Sequence, residues 1–335
     1  MRPLIKIPAL AILQLLAVRT LADSPPRLEV AVADPGAPLT FIAYGDTRFT
    51  QHDGVADAVA RRALVARMAS DMPAAIFIGG DLIYEGGNPE DYETYRAETA
   101  AWSKAKIPIF PVLGNHEFRG CDKDPSPCLS NWWRAAAPSA VRSFRWYSVS
   151  LGPKIRVLLL DSDSSLKPGS EQRIWFERQM SAAGSPVEFV VVMLHYPPVR
   201  DPVFPRAKDE QEVARYLSSH ARSLPARVVV VGSHIHNYER FERDEVTYLV
   251  SGGGGAKPVP VFRFFGELSK LDTPVNFHYV RFRLEGAELQ GTMVRFDPGQ
   301  DAEKAWTEPD HFVLTAKDSP PLRKNAKTRV PAGVP

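Results

Sequence analysis

Residues 39–46, LTFIAYGD, run from an apolar stretch directly into Gly45 and Asp46. The same pattern, a short apolar run that ends at a chemically capable side chain, returns four more times. The run at 75–78 leads to Gly80-Asp81, 109–113 to Gly114-Asn115-His116, 187–194 to His195, and 228–231 to Gly232-Ser233-His234. Continuous apolar runs of four to eight residues, rich in Val and Ile, suit strands buried on both faces.

Helix-like segments lie between the early runs, at 53–70 and 89–106, and later at 170–182 and 208–222. Alternating strand and helix implies a layered α/β domain with a largely parallel core. In such sheets the loops at the strand C-termini converge on the ligand site, so polar motifs placed just after strands can meet in one place. The stretches 144–150, 155–160, 246–250, 278–285 and 288–296 have strand character with fewer helices between them, and they suit a second sheet packed on the first. No internal repeat is evident.

The chain has 335 residues and a formal net charge of +2. Near-balanced charge without a basic stripe argues against a nucleic-acid-binding surface. At the N-terminus, Arg2 and Lys6 flank an apolar run from Ile7 to Val18, followed by Leu21-Ala22. Charged start, short apolar middle and small-residue end read as a secretory signal peptide over 1–22; a retained anchor is the alternative. The run is shorter than the roughly 20 residues of a membrane-spanning helix, so no membrane span is expected after cleavage. The protein is therefore expected to be exported, to a periplasmic or extracellular location. Residues 23–38 are Pro-rich and read as a linker, 39–300 as the main domain, and 301–335 as a C-terminal extension disordered toward its end.

The two cysteines, Cys121 and Cys128, lie close together in a Pro- and Asp-rich loop. In an exported chain such a pair is best read as one local disulfide. Metal-binding thiols are the competing reading, but no further Cys or nearby His completes a zinc set.

Asp46, Asp81, Tyr84, Asn115, His116, His195, His234 and His236 are the polar residues at the ends of these runs. Carboxylates, imidazoles, an amide carbonyl and a phenolate form a mixed O/N donor set suited to Fe, Zn or Mn. Taken singly each has a simpler role, an Asp as a helix cap or a His as a buried hydrogen-bonding group; the set as a whole does not.

Gly45-Asp46, Gly80-Asp81-Leu82-Ile83-Tyr84, Gly114-Asn115-His116-Glu117, Val192-Met193-Leu194-His195 and His234-Ile235-His236-Asn237-Tyr238-Glu239-Arg240 resemble, in this order, the motifs of the calcineurin-like metallophosphoesterases. The Tyr84 spacing and the HxHxYER run are similar to the purple acid phosphatase branch. The likeness spans about residues 39 to 297 and implies a four-layer α/β/β/α sandwich of two mixed sheets flanked by helices. It further implies that Asp46, Tyr84 and His236 hold one metal, that Asp81 bridges, and that Asn115, His195 and His234 complete a second site. His116 would face the substrate and assist the leaving group. Tyr84 as a hard anionic donor favours Fe(III) at the first site, with Fe, Zn or Mn at the second. Two cations roughly 3.5–4 Å apart clamp a phosphoryl group and hold a hydroxide for in-line attack.

Two positions depart from the family pattern. Many relatives have a His where this chain has Arg48, which offers a metal no lone pair; Arg48 is expected either to contact substrate phosphate or to pair with a ligand carboxylate. Ser233 stands where the family usually has Gly before the paired histidines. The loop 119–130 is expected to border the cleft and shape substrate access, with Trp132 and Trp133 lining the cleft or packing in the core. The expected activity is hydrolysis of small phosphomonoesters, as in acid phosphatases. A phosphodiesterase acting on cyclic nucleotides or phosphodiester lipids is one alternative, and a non-catalytic metal-binding protein is another.

Overall fold

The apolar runs are strands, and they divide between two mixed sheets. The computed structural model describes residues 24–32, 34, 36–184, 186–201, 209–261 and 277–317. The expected signal segment and the tail beyond 317 lie outside the described residues. The strands are β1 (Arg27–Val30), β2 (Leu39–Tyr44), β3 (Ile76–Ile78), β4 (Ile109–Pro111), β5 (Tyr147–Leu151), β6 (Ile155–Leu159) and β7 (Phe189–Met193). They continue as β8 (Arg227–Gly232), β9 (Tyr238–Arg243), β10 (Val246–Ser251), β11 (Phe277–Glu285), β12 (Glu288–Phe296) and β13 (Trp306–Thr315). One sheet has seven strands in the order β1-β5-β6-β7-β8-β10-β9, the other six in the order β13-β12-β11-β2-β3-β4. The helices are α1 (Ala58–Ser70), α2 (Pro89–Glu98), α3 (Ala100–Lys104), α4 (Ser126–Ala135), α5 (Glu171–Ser181) and α6 (Gln211–His220).

Strand β7 shows why its sequence is apolar at every position. Phe189, Val191 and Met193 join the core between the sheets, while Val190 and Val192 join a second core with Phe176 of α5 and Leu217 of α6. Side chains alternate along a strand, so a strand covered on both faces has no polar side to offer. Together with α1 against the six-stranded sheet, this yields the α/β/β/α layering. The parallel neighbours β2, β3 and β4 lie in one sheet and β7 and β8 in the other. Their C-terminal ends carry all five motifs.

Some segments differ from the sequence expectation. Within the Pro-rich stretch 23–38, Arg27–Val30 adds to the seven-stranded sheet as an edge strand parallel to β5. Four residues of Arg-Leu-Glu-Val alternation give too short a signal to separate from a linker. The C-terminal extension begins with β13, antiparallel to β12, and the register shifts between Met293 and Arg295, opposite Pro309. Proline cannot donate to a ladder and is tolerated at edges and bulges, so Pro309 obscured a genuine strand. The helix expected over 89–106 breaks at Thr99, whose hydroxyl donates to the Tyr95 carbonyl at 2.7 Å. The disulfide Cys121–Cys128 is present, and Cys128 sits in the first turns of α4, a helix the loop-like composition concealed. Trp132 is fully buried in the core between the sheets, and the half-buried Trp133 packs on the same core and donates to the Phe144 carbonyl at 2.8 Å.

The Ser233 departure has a direct packing consequence. Its side chain points between two strand ends, and a Cβ placed on Gly45 or Gly79 would collide with its Oγ. Ser233 is buried and donates to the Ser251 carbonyl at 3.2 Å. Gly79→Ala is therefore expected to destabilise by about 1–3 kcal/mol through overpacking. Ser233→Gly in the same chain is expected to recover most of that loss. Urea unfolding midpoints of the two single variants and the double variant check this; additive losses would contradict it.

Candidate metal centre

Each site residue stands where a strand stops. Asp46 follows β2, Asp81 follows β3, Asn115 and His116 follow β4, His195 follows β7, and His234 and His236 follow β8. Asp46, Arg48, Asp81 and His234 all adopt positive φ, at 58°, 46°, 50° and 66°. Left-handed backbone at a non-glycine residue costs about 1–3 kcal/mol, persists only when its surroundings enforce it, and clusters at functional sites. Small residues make the close approach possible. A Cβ on Gly114 would sit 2.6 Å from Asp81 Oδ1 and 2.9 Å from His195 Nδ1, so only glycine lets β4 end against both.

The imidazoles are oriented by backbone carbonyls. His195 Nδ1 lies 3.0 Å from the Gly79 oxygen, His236 Nδ1 lies 2.8 Å from that of Lys257, and His116 Nδ1 lies 2.6 Å from that of Tyr84. With Nδ1–H donating outward in each ring, the Nε2 lone pair points inward. Around His195 Nε2 stand Asp81 Oδ1 at 3.3 Å, Asn115 Oδ1 at 3.0 Å and His234 Nδ1 at 3.2 Å. These are lone-pair donors facing one another, an arrangement that only a proton or a cation relieves. Close by, Asp46 accepts the His234 N–H at 2.7 Å through Oδ2, while its buried Oδ1 has no hydrogen bond and faces His236 Nε2 at 3.5 Å. Ligand atoms of Asp46, Asp81 and His195 all lie within 4.8 Å of one another. A buried carboxylate oxygen without a donor, beside convergent imidazole lone pairs, fits metal ions of the O/N-preferring kind.

The charge states follow the same geometry. Burial works to raise the Asp81 carboxyl, yet His195, His116 and Arg48 together hold it well below the usual carboxylate range. Burial works to lower His195, but Asp81 and Asp46 raise it, and the net shift is upward. His234 is pushed down to about 4 by burial and by His195, and it remains a neutral donor.

The structure brings Asp46, Asp81, Asn115, His116, His195, His234 and His236 together. Arg48 pairs with Asp81 Oδ2 at 3.5 Å, the carboxylate-pairing expectation. The Tyr84 ring lies beneath the Arg119 guanidinium at 4.8 Å, with His116 and His52 ring centres at 5.4 and 5.7 Å. Its hydroxyl makes no hydrogen bond to Asp46 or His236. The disulfide segment closes over this region: Gly87 N–H donates to the Arg119 carbonyl at 2.8 Å, and Asn131 of α4 donates to that of Gly86 at 3.0 Å.

Two further residues, to which the sequence assigns no role, shape the site. Glu117 is buried and accepts the N–H groups of Asp81, Leu82 and Gly114 at 3.0, 2.8 and 2.6 Å, so it clamps the ends of β3 and β4 together. Burial, with the Asp81 charge nearby, pushes it up to about 7. Its place beside His116 was the available signal. Tyr196 packs edge-on between the rings of His195 and His234, at 5.1 and 4.6 Å. Farther out, Tyr238 and Arg240 of the HxHxYER run bind Asp310 of β13 at 2.7 and 2.8 Å, joining the two sheets next to His236.

The chain is similar in fold to several solved structures. Over 84% of its length it matches the purple acid phosphatase PPD1 from yellow lupin seeds, at 15% identity and a TM-score of 0.67, and it spans 54% of that protein. A dimetal phosphatase from Danio rerio is matched over 85% of this chain and 100% of its own, at 14% identity and a TM-score of 0.57. GAP50, the anchor in the inner membrane complex of Plasmodium, is matched over 84% of this chain and 89% of its own, at 13% identity and a TM-score of 0.55. The sequence profile described as calcineurin-like phosphoesterase matches residues 33–238. The chain therefore belongs to the calcineurin-like phosphoesterase family.

Proposed function

We propose that this protein is an exported two-metal phosphomonoesterase. The observation that carries the reading is the ring of inward lone pairs around Asp46, Asp81 and His195. The fold alone does not decide for turnover, since an anchor protein, GAP50, shares it. The intact donor set and the adjacent His116 favour hydrolysis. Export is supported by the sequence of the first 22 residues and by the disulfide; among the described residues no helix is long and apolar enough to cross a membrane.

In this reading Asp46, Tyr84 and His236 hold one ion, Asn115, His195 and His234 hold the other, and Asp81 is shared. When bound, the two ions supply charge neutralisation for the phosphoryl group and an activated water. The remaining work falls to this chain's side chains. Arg48, already beside Asp81, reaches the phosphoryl oxygens with a fork of N–H donors. His116 Nε2, 3.6 Å from Asp81 Oδ2, opens toward the same space. Because its Nδ1–H is committed to the Tyr84 carbonyl, Nε2 donates a proton only from the imidazolium. Burial disfavours that form and Asp81 supports it, with burial prevailing, so its pKa lies below the ordinary imidazole value. Donation to the leaving oxygen is thus available at acidic pH and is lost as pH rises through the His116 pKa.

His116→Ala is expected to lower kcat on p-nitrophenyl phosphate about 10²–10⁴-fold, to remove the alkaline limb of the kcat–pH profile, and to leave metal content unchanged. An unchanged profile would remove His116 from proton transfer. Faster turnover of bis(p-nitrophenyl) phosphate than of the monoester would move the assignment to a phosphodiesterase. Metal-loaded protein that hydrolysed neither ester would leave a binding protein. For the first ion, iron-loaded protein is expected to show a visible tyrosinate-to-iron band that Tyr84→Phe abolishes. A band that survives Tyr84→Phe would exclude Tyr84 as its source.

A further inference from the structure

The end of the seven-stranded sheet away from the metal centre holds a cavity of about 520 Å³. It lies where β6 and β7 begin, against the edge strand β1 and the turn between β5 and β6. Its walls include Arg27, Val30, Val32, Ser150, Arg156 and Val187, with Glu29 at one side. The strand register explains how these residues meet. Glu29 pairs with Ser150, and Ser150 pairs with Arg156, so the three form one row across β1, β5 and β6. Ile155, Val157 and Leu159 of β6 belong to the core between the sheets, so Arg156 projects from the opposite face.

Arg156 is the unusual member of this row. It is only 8% exposed, its Nε is buried without a hydrogen bond, and among the described residues no carboxylate pairs with it. Glu188, near the start of β7, binds Lys154 through Oε1 at 2.9 Å while its Oε2 is buried without a hydrogen bond, and Glu29 is largely exposed, 3.9 Å from Arg27. Arginines this buried are almost always paired, because an uncompensated buried charge is costly. Burial and the neighbouring Arg27 charge both push the Arg156 guanidinium below its ordinary pKa, so the site is short of negative charge. Apart from Ser150 and Glu29 the remaining side chains of the wall are apolar, and the volume falls in the range of small-ligand sites.

We propose that this cavity binds a small organic anion whose oxyanion group pairs with Arg156 and Arg27 while its apolar part lies against Val32, Pro153 and Val187. A guanidinium fork suits a carboxylate and a phosphoryl group alike. The site is remote from the metal centre and stands independently of the phosphoesterase reading.

Isothermal titration calorimetry of the full, metal-loaded chain with octanoate, octylphosphonate and octanol provides the test. At least one of the two anions is expected to bind more tightly than octanol, and preference between them identifies the head group. Arg156→Gln is expected to weaken that binding at least tenfold. Val32→Trp, which fills the cavity and leaves Arg156 in place, is expected to abolish it, and this variant decides the matter if Arg156→Gln does not fold. Phosphoesterase activity is expected to be unchanged in both variants. Failure of both anions to bind the wild-type chain, or wild-type affinity in Val32→Trp, would overturn the proposal.

Discussion

Asp81 bears a negative charge in a position wholly removed from water, on backbone held at a φ of 50°. A lone carboxylate so placed costs several kcal/mol even after the surroundings relax. The site is built to offset that cost: His195, Arg48 and His116 approach it at 3.3, 3.5 and 3.6 Å. None of these is as effective as a metal ion in direct contact, and the three groups around His195 Nε2, from Asp81, Asn115 and His234, are themselves lone-pair donors. The need to neutralise Asp81 therefore links the strand ends, the orientation of the histidines and the proposed metal centre.

That arrangement depends on two sheets stopping at the same height. Glu117 binds the backbone after β3 to that after β4, and the carbonyls of Gly79, Tyr84 and Lys257 aim the imidazoles. Gly114 lets the backbone pass within van der Waals contact of Asp81 and His195. Ser233 occupies space that Gly45 and Gly79 leave open, so a departure from the family pattern is matched by glycines on two neighbouring strands. In physical terms the chemistry rests on polar side chains, and their precision rests on backbone with little or no side chain.

Much of this was legible in the sequence because strands buried on both faces leave an unbroken apolar signature. Runs such as 187–194 and 228–231 announced β7 and β8 and placed His195 and His234 at their ends. Edge elements were harder to see. Strand β1 is short and flanked by prolines, β13 contains Pro309 and several charges, and α4 begins with Ser-Pro-Cys inside a loop-like composition. The break at Thr99 comes from one hydroxyl capturing a carbonyl, which no periodicity records. At the site, all the expected ligands except Tyr84 converge through hydrogen bonds or ion-pair distances, while Tyr84 is placed by ring contacts with Arg119, His116 and His52. The role of Glu117 is not legible in the sequence because it holds backbone, a task that leaves no pattern beyond an acidic residue within a motif.

The lone pairs gathered around Asp46, Asp81 and His195 call for metal to resolve them. Elemental analysis of the purified protein, combined with thermal unfolding before and after chelation, tests this requirement most directly. Two equivalents of bound metal, a lower unfolding temperature after chelation, and recovery when Fe, Zn or Mn is restored are expected. A chain that purifies without metal, takes none up, and unfolds at the same temperature with and without chelator would contradict it.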